Sequence, residues 1–206
     1  MSLILNSKFA FVLLFLLSIV FTEAQGNFRQ LSTPEKKWTL QHPFLAIKIR
    51  KKIKTCYKFI GLVKEEKKLD LFENGGKLDA FRHIFTMAYL AQSISATKLK
   101  SLGEAHEMGN REQFENGKLE HGEIPDSVSC QMDLMNNSIG ITLGKKYKNL
   151  STELLKEKII EEINQGNAWI ISRDETGNYV QCNGTILIIN QNERRWNMPK
   201  CLKKTK

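Results

Sequence analysis

A helix that is apolar around most of its circumference, yet carries charges in its first turns, is the feature that most restricts how this chain folds. The run LDAFRHIFTMAYLAQ (residues 78–92) contains neither Gly nor Pro and predicts a helix that continues to about Ser95. Asp79 and His83 share one stripe of that helix, with Arg82 beside it, because successive residues are about 100° apart. A solvent-facing stripe is the alternative, but the run contains no Lys or Glu, so we expect these polar groups to face the interior.

A second helix, predicted over residues 96–108, also carries a polar group on an apolar face. His106 falls on the face of Leu99 and Leu102, whereas Glu107 points about 100° away. We therefore expect His106, rather than Glu107, to enter the interior. A single core histidine that is bonded to a backbone carbonyl is the alternative.

A third helix, predicted to begin at Asp126 or Ser127 and to end near Tyr147, has short amides and glycines where a surface helix usually has long polar side chains. Its polar side is formed by Ser129, Asp133, Asn136, Asn137, Gly140 and Gly144. Adjacent asparagines are unfavourable within a helix because their amides compete for backbone hydrogen bonds. Each Gly costs about 1 kcal/mol of helix propensity. These costs indicate close approach of another helix at the glycines and specific hydrogen bonds at the amides.

Three polar stripes on otherwise apolar helices are expected to meet in one interior cluster. Buried charges are stable only with partners, and these helices can supply partners to one another. The candidate catalytic residues are Asp79, His83, His106, Asp133, Asn136 and Asn137. Among them, His83, His106 and Asp133 offer nitrogen and oxygen ligands for a divalent metal such as zinc, as metal sites inside helical bundles do. Asp79 is then expected to orient His83.

The pattern as a whole predicts a mainly α fold, a helical bundle with a short β-like or extended C-terminal segment. Further helices are predicted over residues 43–63 and from Ser151 to Gly166. We expect a signal peptide over residues 1–24, an extended lead-in over 25–42, and a single helical domain over 43–206 whose β-like tail starts at about residue 167.

The first 24 residues have the pattern of a secretory signal. Lys8 precedes an apolar run over residues 9–21, interrupted only by Ser18, and Ala24 stands at the expected cleavage position. This run is too short for a membrane-spanning helix, which needs about 20 residues. An uncleaved N-terminal anchor is the alternative. With cleavage, the protein is exported, to the periplasm or the medium, as a chain long enough for one domain with a real core.

The chain is basic, with a formal net charge of +9. Much of the excess lies in KIRKKIKTCYK (residues 48–58) and KCLKKTK (residues 200–206). A basic surface favours contact with an anionic polymer or a membrane surface, although a merely solvated face is the commoner case. Aromatic residues are not interleaved in the way typical of nucleic-acid binding, so we do not expect a nucleic-acid partner.

The four cysteines are even in number, which in an exported chain permits two disulfides. No C-x-x-C spacing is present, so a zinc knuckle or a thioredoxin-like site is not supported. Cys182 and Cys201 bracket the C-terminal segment and are predicted to pair. Cys56 and Cys130 are then either buried thiols or a second bridge.

Three motifs in fixed order carry a resemblance to a known family. They are DAFRH (residues 79–83), AHEMGN (105–110) and MDLMNNSIG (132–140). Together they resemble an uncharacterised family of bacterial, often exported, helical domains with the motifs D-A-x-R-H, H-E-x-G-N and M-D-L-x-N-N-x-x-G. The resemblance covers residues 75–144. Phe85 and Thr86 replace the Trp and small polar residue usual after R-H, and Ile141 replaces a frequent Arg. The last departure removes a cation from the expected site.

Three functional interpretations remain open from the sequence. The first is a metal-assisted hydrolase, although no tight ligand spacing such as H-E-x-x-H is present. The second is metal-free acid–base catalysis by a histidine that a carboxylate orients, with Ser129 as a weak candidate nucleophile. The third is a non-catalytic binding or structural domain in which the polar cluster stabilises the bundle, because structural ion networks imitate active sites.

Overall fold

The structure is a computed structural model that describes residues 28–120, 122–190 and 193–206. Its helices are α1 (Thr33–Gln41), α2 (Pro43–Glu66), α3 (Lys77–Ala91), α4 (Ala96–Glu115), α5 (Ser127–Lys146) and α6 (Thr152–Asn164), followed by strands β1 (Trp169–Ile171) and β2 (Leu202–Lys204). The prediction of a mainly α fold with a small C-terminal β segment is confirmed. The proposed signal peptide lies outside the described residues. Within the described ranges, no helix combines the length and the apolar character needed to cross a membrane.

The expected extended lead-in is wrong for residues 33–41, which form helix α1. The helix starts with a capping box, in which the Ser32 side chain accepts from the Glu35 backbone while Glu35 bonds back to the Ser32 backbone. Pro34 suits the first turn because its missing N–H has no partner there anyway. The Trp38 ring is buried, and its Nε1 donates to Ser101 on α4 at 2.9 Å. The helix therefore belongs to the bundle.

Helix α3 forms the centre of the bundle, and α5 is its closest neighbour. Most aromatic and aliphatic residues of α3 are buried, and those that are fully buried include Phe81, Ile84, Phe85, Ala88 and Leu90. A Cβ atom on Gly140 or Gly144 would collide with the backbone carbonyl of Ile84 or Ala88, respectively. The two glycines thus allow the backbones of α3 and α5 to come close, which confirms the reason inferred for them from the sequence.

The C-terminal tail folds back onto the bundle as a small antiparallel sheet. Residues 169–171 pair with residues 202–204 in the register Trp169↔Lys204 to Ile171↔Leu202. The predicted disulfide between Cys182 and Cys201 is present, while Cys56 and Cys130 are buried free thiols.

A buried ion pair joins this tail to the start of α5. The Lys200 ammonium lies 2.7 Å from Asp126, with both side chains almost completely buried. Asp126 also caps α5, as predicted, by accepting from the backbone N–H groups of Val128 and Ser129. The tail therefore fixes the first turn of the helix that carries Asp133.

Candidate functional site

A buried histidine and two buried aspartates meet where the first turns of α3 pass the middle of α5. Asp79 and His83 are one turn apart on α3, and Asp133 faces them from α5. One ligand atom from each residue lies within 4.8 Å of the others. Nε2 of His83 is 3.2 Å from Oδ1 of Asp133 and 3.5 Å from Oδ1 of Asp79. We call Asp79, His83 and Asp133 the Asp/His/Asp group.

The contacts of His83 indicate which of its ring nitrogens carries the hydrogen and which one accepts. Nδ1 lies 3.2 Å from Oδ1 of Asn137, an oxygen that can only accept, so Nδ1 carries the hydrogen. Nη2 of Arg82 lies 3.2 Å from Nε2, and a guanidinium can only donate. The two contacts together place a lone pair on Nε2. The nearest oxygens of Asp133 and Asp79 lie 3.2 and 3.5 Å from this nitrogen, to which Arg82 donates.

Asp79 is the well-partnered carboxylate of the group. Its Oδ1 accepts from Nη2 of Arg82 at 2.6 Å, and its Oδ2 accepts from the backbone N–H of Gly75 at 2.6 Å. Burial raises the pKa of Asp79, but the charge of Arg82 and the backbone N–H of Gly75 outweigh it and leave the pKa below its usual range. Asp79 is therefore ionised at neutral pH.

Asp133 is the poorly partnered carboxylate. Its side chain is buried, and its Oδ1 has no hydrogen-bond donor among the described residues. The 3.2 Å contact with Nε2 of His83 joins two acceptors, and its direction does not satisfy hydrogen-bond geometry. Burial and the charges of Asp79 and Glu107 raise the pKa of Asp133 well above its usual range. Asp133 is thus a buried carboxylate that needs either a proton or a cation to balance its charge.

Helix α4 contributes Glu107 to the interior, and the face assigned to His106 from the sequence is wrong. The buried positions of α4 include Leu99, Gly103, Glu107 and Asn110 at spacings of four and three residues. Nδ2 of Asn110 donates to Oε2 of Glu107 at 3.0 Å, while Oε1 of Glu107 is buried without a hydrogen-bond partner. Burial raises the pKa of Glu107. Glu107 is thus the second buried carboxylate that lacks a partner on one oxygen.

His106 lies on the neighbouring side of α4, outside the Asp/His/Asp group. Its Nδ1 is 3.0 Å from Oε1 of Glu35 on α1, and its side chain is 43% exposed. Burial lowers the pKa of His106, but the hydrogen bond to Glu35 and the charges of Glu107 and Glu120 outweigh this effect and raise the pKa to about 9. His106 is therefore a cation that pairs with α1, whereas the sequence prediction made it a metal ligand beside His83 and Asp133.

The two asparagines of α5 have different neighbours. Asn137 contacts His83 and belongs to the surroundings of the group. Asn136 is fully buried and bonds the backbone of Trp169 twice, with Nδ2 donating to the carbonyl at 2.9 Å and Oδ1 accepting from the N–H at 3.0 Å. Asn136 therefore joins α5 to β1.

A small cleft reaches the two aspartates of the group, although His83 itself does not line it. Besides Asp79, Arg82 and Asp133, it is lined by Asn74, Gly75, Glu120, Glu123, Ile124, Pro125 and Ser129. The residues that lie outside the helices were not predicted as site residues, because loop positions have no helical spacing to reveal them. The Ser129 hydroxyl donates to Asp126 at 3.0 Å, so it is occupied in capping α5.

The C-terminal tail contacts two of the residues that line the cleft, Glu123 and Asn74. The Tyr179 hydroxyl donates to Oε2 of Glu123 at 2.7 Å. Arg173 donates to the carbonyl of Asn74 at 3.0 Å and stacks on the Tyr179 ring. Because Glu123 and Asn74 both line the cleft, these contacts hold two of its lining residues against the C-terminal tail.

The side chains of the Asp/His/Asp group and the carboxylates near it are of the kinds that bind a hard or borderline metal cation. A histidine lone pair and two carboxylate oxygens converge, and the carboxylates Glu120 and Glu123 stand at the mouth. Arg82 is the cation that now lies against Asp79 and His83. Without a further cation, the same atoms can share a proton between Asp133 and His83.

Comparison with known proteins places the chain in an uncharacterised domain family. The model of a family described as Domain of unknown function (DUF6973) matches residues 36–167, which is more than half of the chain. That range includes the Asp/His/Asp group, Glu107 and most of the cleft. No curated protein and no solved structure shows significant similarity to the chain.

Proposed function

This chain belongs to the DUF6973 family, whose description gives no reaction, and from the arrangement of its site we propose that it is a divalent-cation-dependent hydrolase. The observation that carries the proposal is Oδ1 of Asp133, which is buried without a hydrogen-bond donor, 3.2 Å from Nε2 of His83. A buried oxygen of this kind costs about 1–3 kcal/mol unless something positive meets it. A cation held by Asp133, His83 and Asp79 removes that cost.

The donor set fits a catalytic rather than a purely structural cation. Three protein ligands leave coordination positions open for water and substrate, as in catalytic zinc sites. One nitrogen and two carboxylate oxygens suit zinc or manganese better than the all-oxygen surroundings of calcium. Asn137 accepts from Nδ1 of His83 and so leaves the lone pair on Nε2, the nitrogen nearest to Asp133. Arg82 competes with the cation for the Nε2 atom.

The chain's own residues have separate roles in the proposed hydrolysis. A bound divalent cation supplies acidity to a water molecule and polarises the scissile group. Glu120 lines the same cleft and accepts the proton of the attacking water. Arg82, which also lines the cleft, stabilises negative charge that develops on the substrate.

A non-catalytic cluster is the second candidate, and Asp79 is the observation that favours it. Both of its oxygens are occupied, by Arg82 and by the backbone of Gly75, as expected for a group that stabilises the start of α3. In this case Asp133 is protonated and donates to His83. The two candidates therefore differ in the state of Asp133.

We further propose that the protein acts after export. The disulfide between Cys182 and Cys201 supports this, because disulfides persist mainly outside the reducing cytosol. The sequence pattern of residues 1–24 supports it independently.

Activity before and after removal of cations tests the proposed function. Protein treated with a chelator should lose hydrolysis of a responsive chromogenic ester, amide or phosphoester, and zinc or manganese should restore it. Asp133→Asn should stay inactive after the cation is added back. Glu153→Gln is the matched control and should respond as the wild type does, because Glu153 is exposed on α6 and does not line the cleft. Hydrolysis that survives chelation, or that survives Asp133→Asn, contradicts the proposal.

A further inference from the structure

A basic and apolar stripe runs along the outer side of α2, away from the core. The stripe consists of Phe44, Ile47, Lys51, Lys54 and Lys58, which recur at alternating spacings of three and four residues and therefore lie on one side of the helix. All five side chains are exposed, with Phe44 87% and Ile47 56% accessible. The opposite side of α2 is buried in the bundle through Ile49, Cys56, Phe59 and Val63. We call the five exposed residues the α2 stripe.

The α2 stripe has an unbalanced charge. Between Pro43 and Lys64 the helix has seven Lys and Arg residues and no Asp or Glu, the first acidic residue being Glu65. In the part of the chain that the structure describes, the acidic cleft lies at the start of α3 and in the loop before α5, not on α2. The basic residues of α2 therefore present a local positive field.

From this arrangement we infer that α2 is a docking surface for an anionic membrane. Exposed Phe and Ile at one end of a lysine stripe are the components of a helix that lies in the plane of a lipid interface, where the apolar side chains enter the acyl boundary. The lysines then meet the phosphate groups of anionic lipids, each contributing roughly fivefold in affinity. The inference is independent of the proposed hydrolase function.

The composition of the stripe favours lipid over nucleic acid. Recognition of bases relies on aromatic rings that stack and on arginines that bond bidentately. The stripe has lysines as its only cations, and Ile47 has no role in stacking. At an apolar boundary, the exposed side chains of Phe44 and Ile47 can leave water, which adds to the attraction of the lysines for lipid phosphates.

Co-sedimentation of the full-length protein with lipid vesicles tests the inference. Vesicles of equal parts phosphatidylglycerol and phosphatidylcholine should bind the protein much more tightly than vesicles of phosphatidylcholine alone, and added salt should weaken the binding. Residues 9–21 are apolar and favour any vesicle, so the dependence on anionic lipid is the informative quantity. Equal binding to both vesicle types overturns the inference.

A triple substitution locates the surface. Lys51→Gln, Lys54→Gln and Lys58→Gln together should lower the affinity for anionic vesicles about 100-fold. The same charge change at three exposed lysines elsewhere is the matched control, and should lower it less than about fivefold; these lysines are Lys145, Lys148 and Lys203. Equal losses in the two triple variants show a diffuse charge effect and overturn the inference.

The apolar component has its own control. Ile47→Ser should weaken vesicle binding, whereas Leu154→Ser should not, although both side chains are 56% exposed. Both variants should keep the wild-type melting temperature. If duplex DNA or RNA displaces the wild-type protein from anionic vesicles, the surface is a nucleic-acid site, and the inference fails.

Discussion

Nε2 of His83 lies 3.2 Å from Oδ1 of Asp133, and the contacts of His83 with Arg82 and Asn137 leave no hydrogen between these two atoms. Two acceptors at this distance in a buried site repel each other unless a proton or a cation stands between them. The neighbouring Asp79 is ionised and adds to the repulsion. This unbalanced negative charge, and the close packing of α3 against α5 that produces it, have measurable consequences.

Removing the charge of Asp133 should stabilise the cation-free protein. Asp133→Asn replaces a buried, unpartnered carboxylate with a neutral amide, so the charge that burial disfavours and the repulsion from Asp79 both disappear. We expect a gain of about 1–3 kcal/mol in the free energy of unfolding at neutral pH, measured by urea titration in a chelating buffer.

Asp79→Asn is the matched comparison and should have the opposite sign. It removes the charge that balances Arg82 and weakens the bond from the Gly75 backbone. A loss of about 3–5 kcal/mol is expected, as for a broken buried ion pair. If Asp133→Asn also destabilises by several kcal/mol, then Asp133 is a structural partner of His83 and the repulsion inferred here does not exist.

The pair of His106 and Glu35 should make stability depend on pH in the alkaline range. The pKa of His106 rises from an ordinary 6.5 to about 9 on folding. A group with a raised pKa binds its proton more tightly in the folded state, so its contribution is complete below pH 6.5 and is lost as the pH rises through 9. The melting temperature of the wild type should therefore fall across this window more than that of His106→Ala.

Comparing how the melting temperatures of the wild type and of His106→Ala change with pH isolates the contribution of His106. The buried carboxyl groups also titrate, but they are present in both proteins. His106→Gln serves as a second variant that keeps a hydrogen bond to Glu35 without the charge. If the melting temperatures of wild type and His106→Ala run parallel from pH 6.5 to 9, the pair contributes no pH dependence.

The close approach of α3 and α5 should be intolerant of a single methyl group. Gly140→Ala places a Cβ against the carbonyl of Ile84 and against the Met87 side chain, so the helices have to separate. We expect a loss of about 1–3 kcal/mol in the free energy of unfolding, as for overpacked cores. Separation of the helices also moves Asp133 away from His83.

Gly61→Ala is the control for this effect, because Gly61 lies within α2 and a Cβ there meets nothing within 4 Å. Its expected effect is a gain of up to about 1 kcal/mol from helix propensity. Equal effects of the two substitutions in urea unfolding would show that the helix spacing is not set by Gly140.

Helical periodicity predicted the parts of the site that depend on one helix at a time. The stripe of Asp79 and His83 and the amides and glycines of α5 followed from spacing and from residue types that are costly on a surface. Because α3 buries most of its circumference and packs closely on α5, its polar positions face Asp133 and Asn137 of that helix. The structure accordingly brings Asp79, His83, Asp133 and Asn137 together.

The sequence predictions that were wrong concern side chains whose neighbours come from distant segments of the chain. His106 was assigned to the interior from its position relative to Leu99, yet the polar partner that holds it outside is Glu35, on a helix that the sequence had suggested to be extended. Gly103, Glu107 and Asn110 share a side of α4, and this spacing was a signal that could have identified Glu107. Helix α4 also continues to Glu115 instead of ending near residue 108, because Arg111 and Glu115 pair across one turn and, after Gly109, no further Gly occurs before Gly117.

Titration of the cation-free protein with zinc, measured by isothermal titration calorimetry, tests most directly whether the Asp/His/Asp group binds a cation. The account predicts one saturable site per chain in the wild type and in His106→Ala, and loss of that site in Asp133→Asn. His106→Ala is decisive here, because the sequence alone made His106 a ligand and the structure places it with Glu35. A wild type that binds no zinc or manganese, or an Asp133→Asn variant that binds as the wild type does, would contradict the proposal that the Asp/His/Asp group holds a cation.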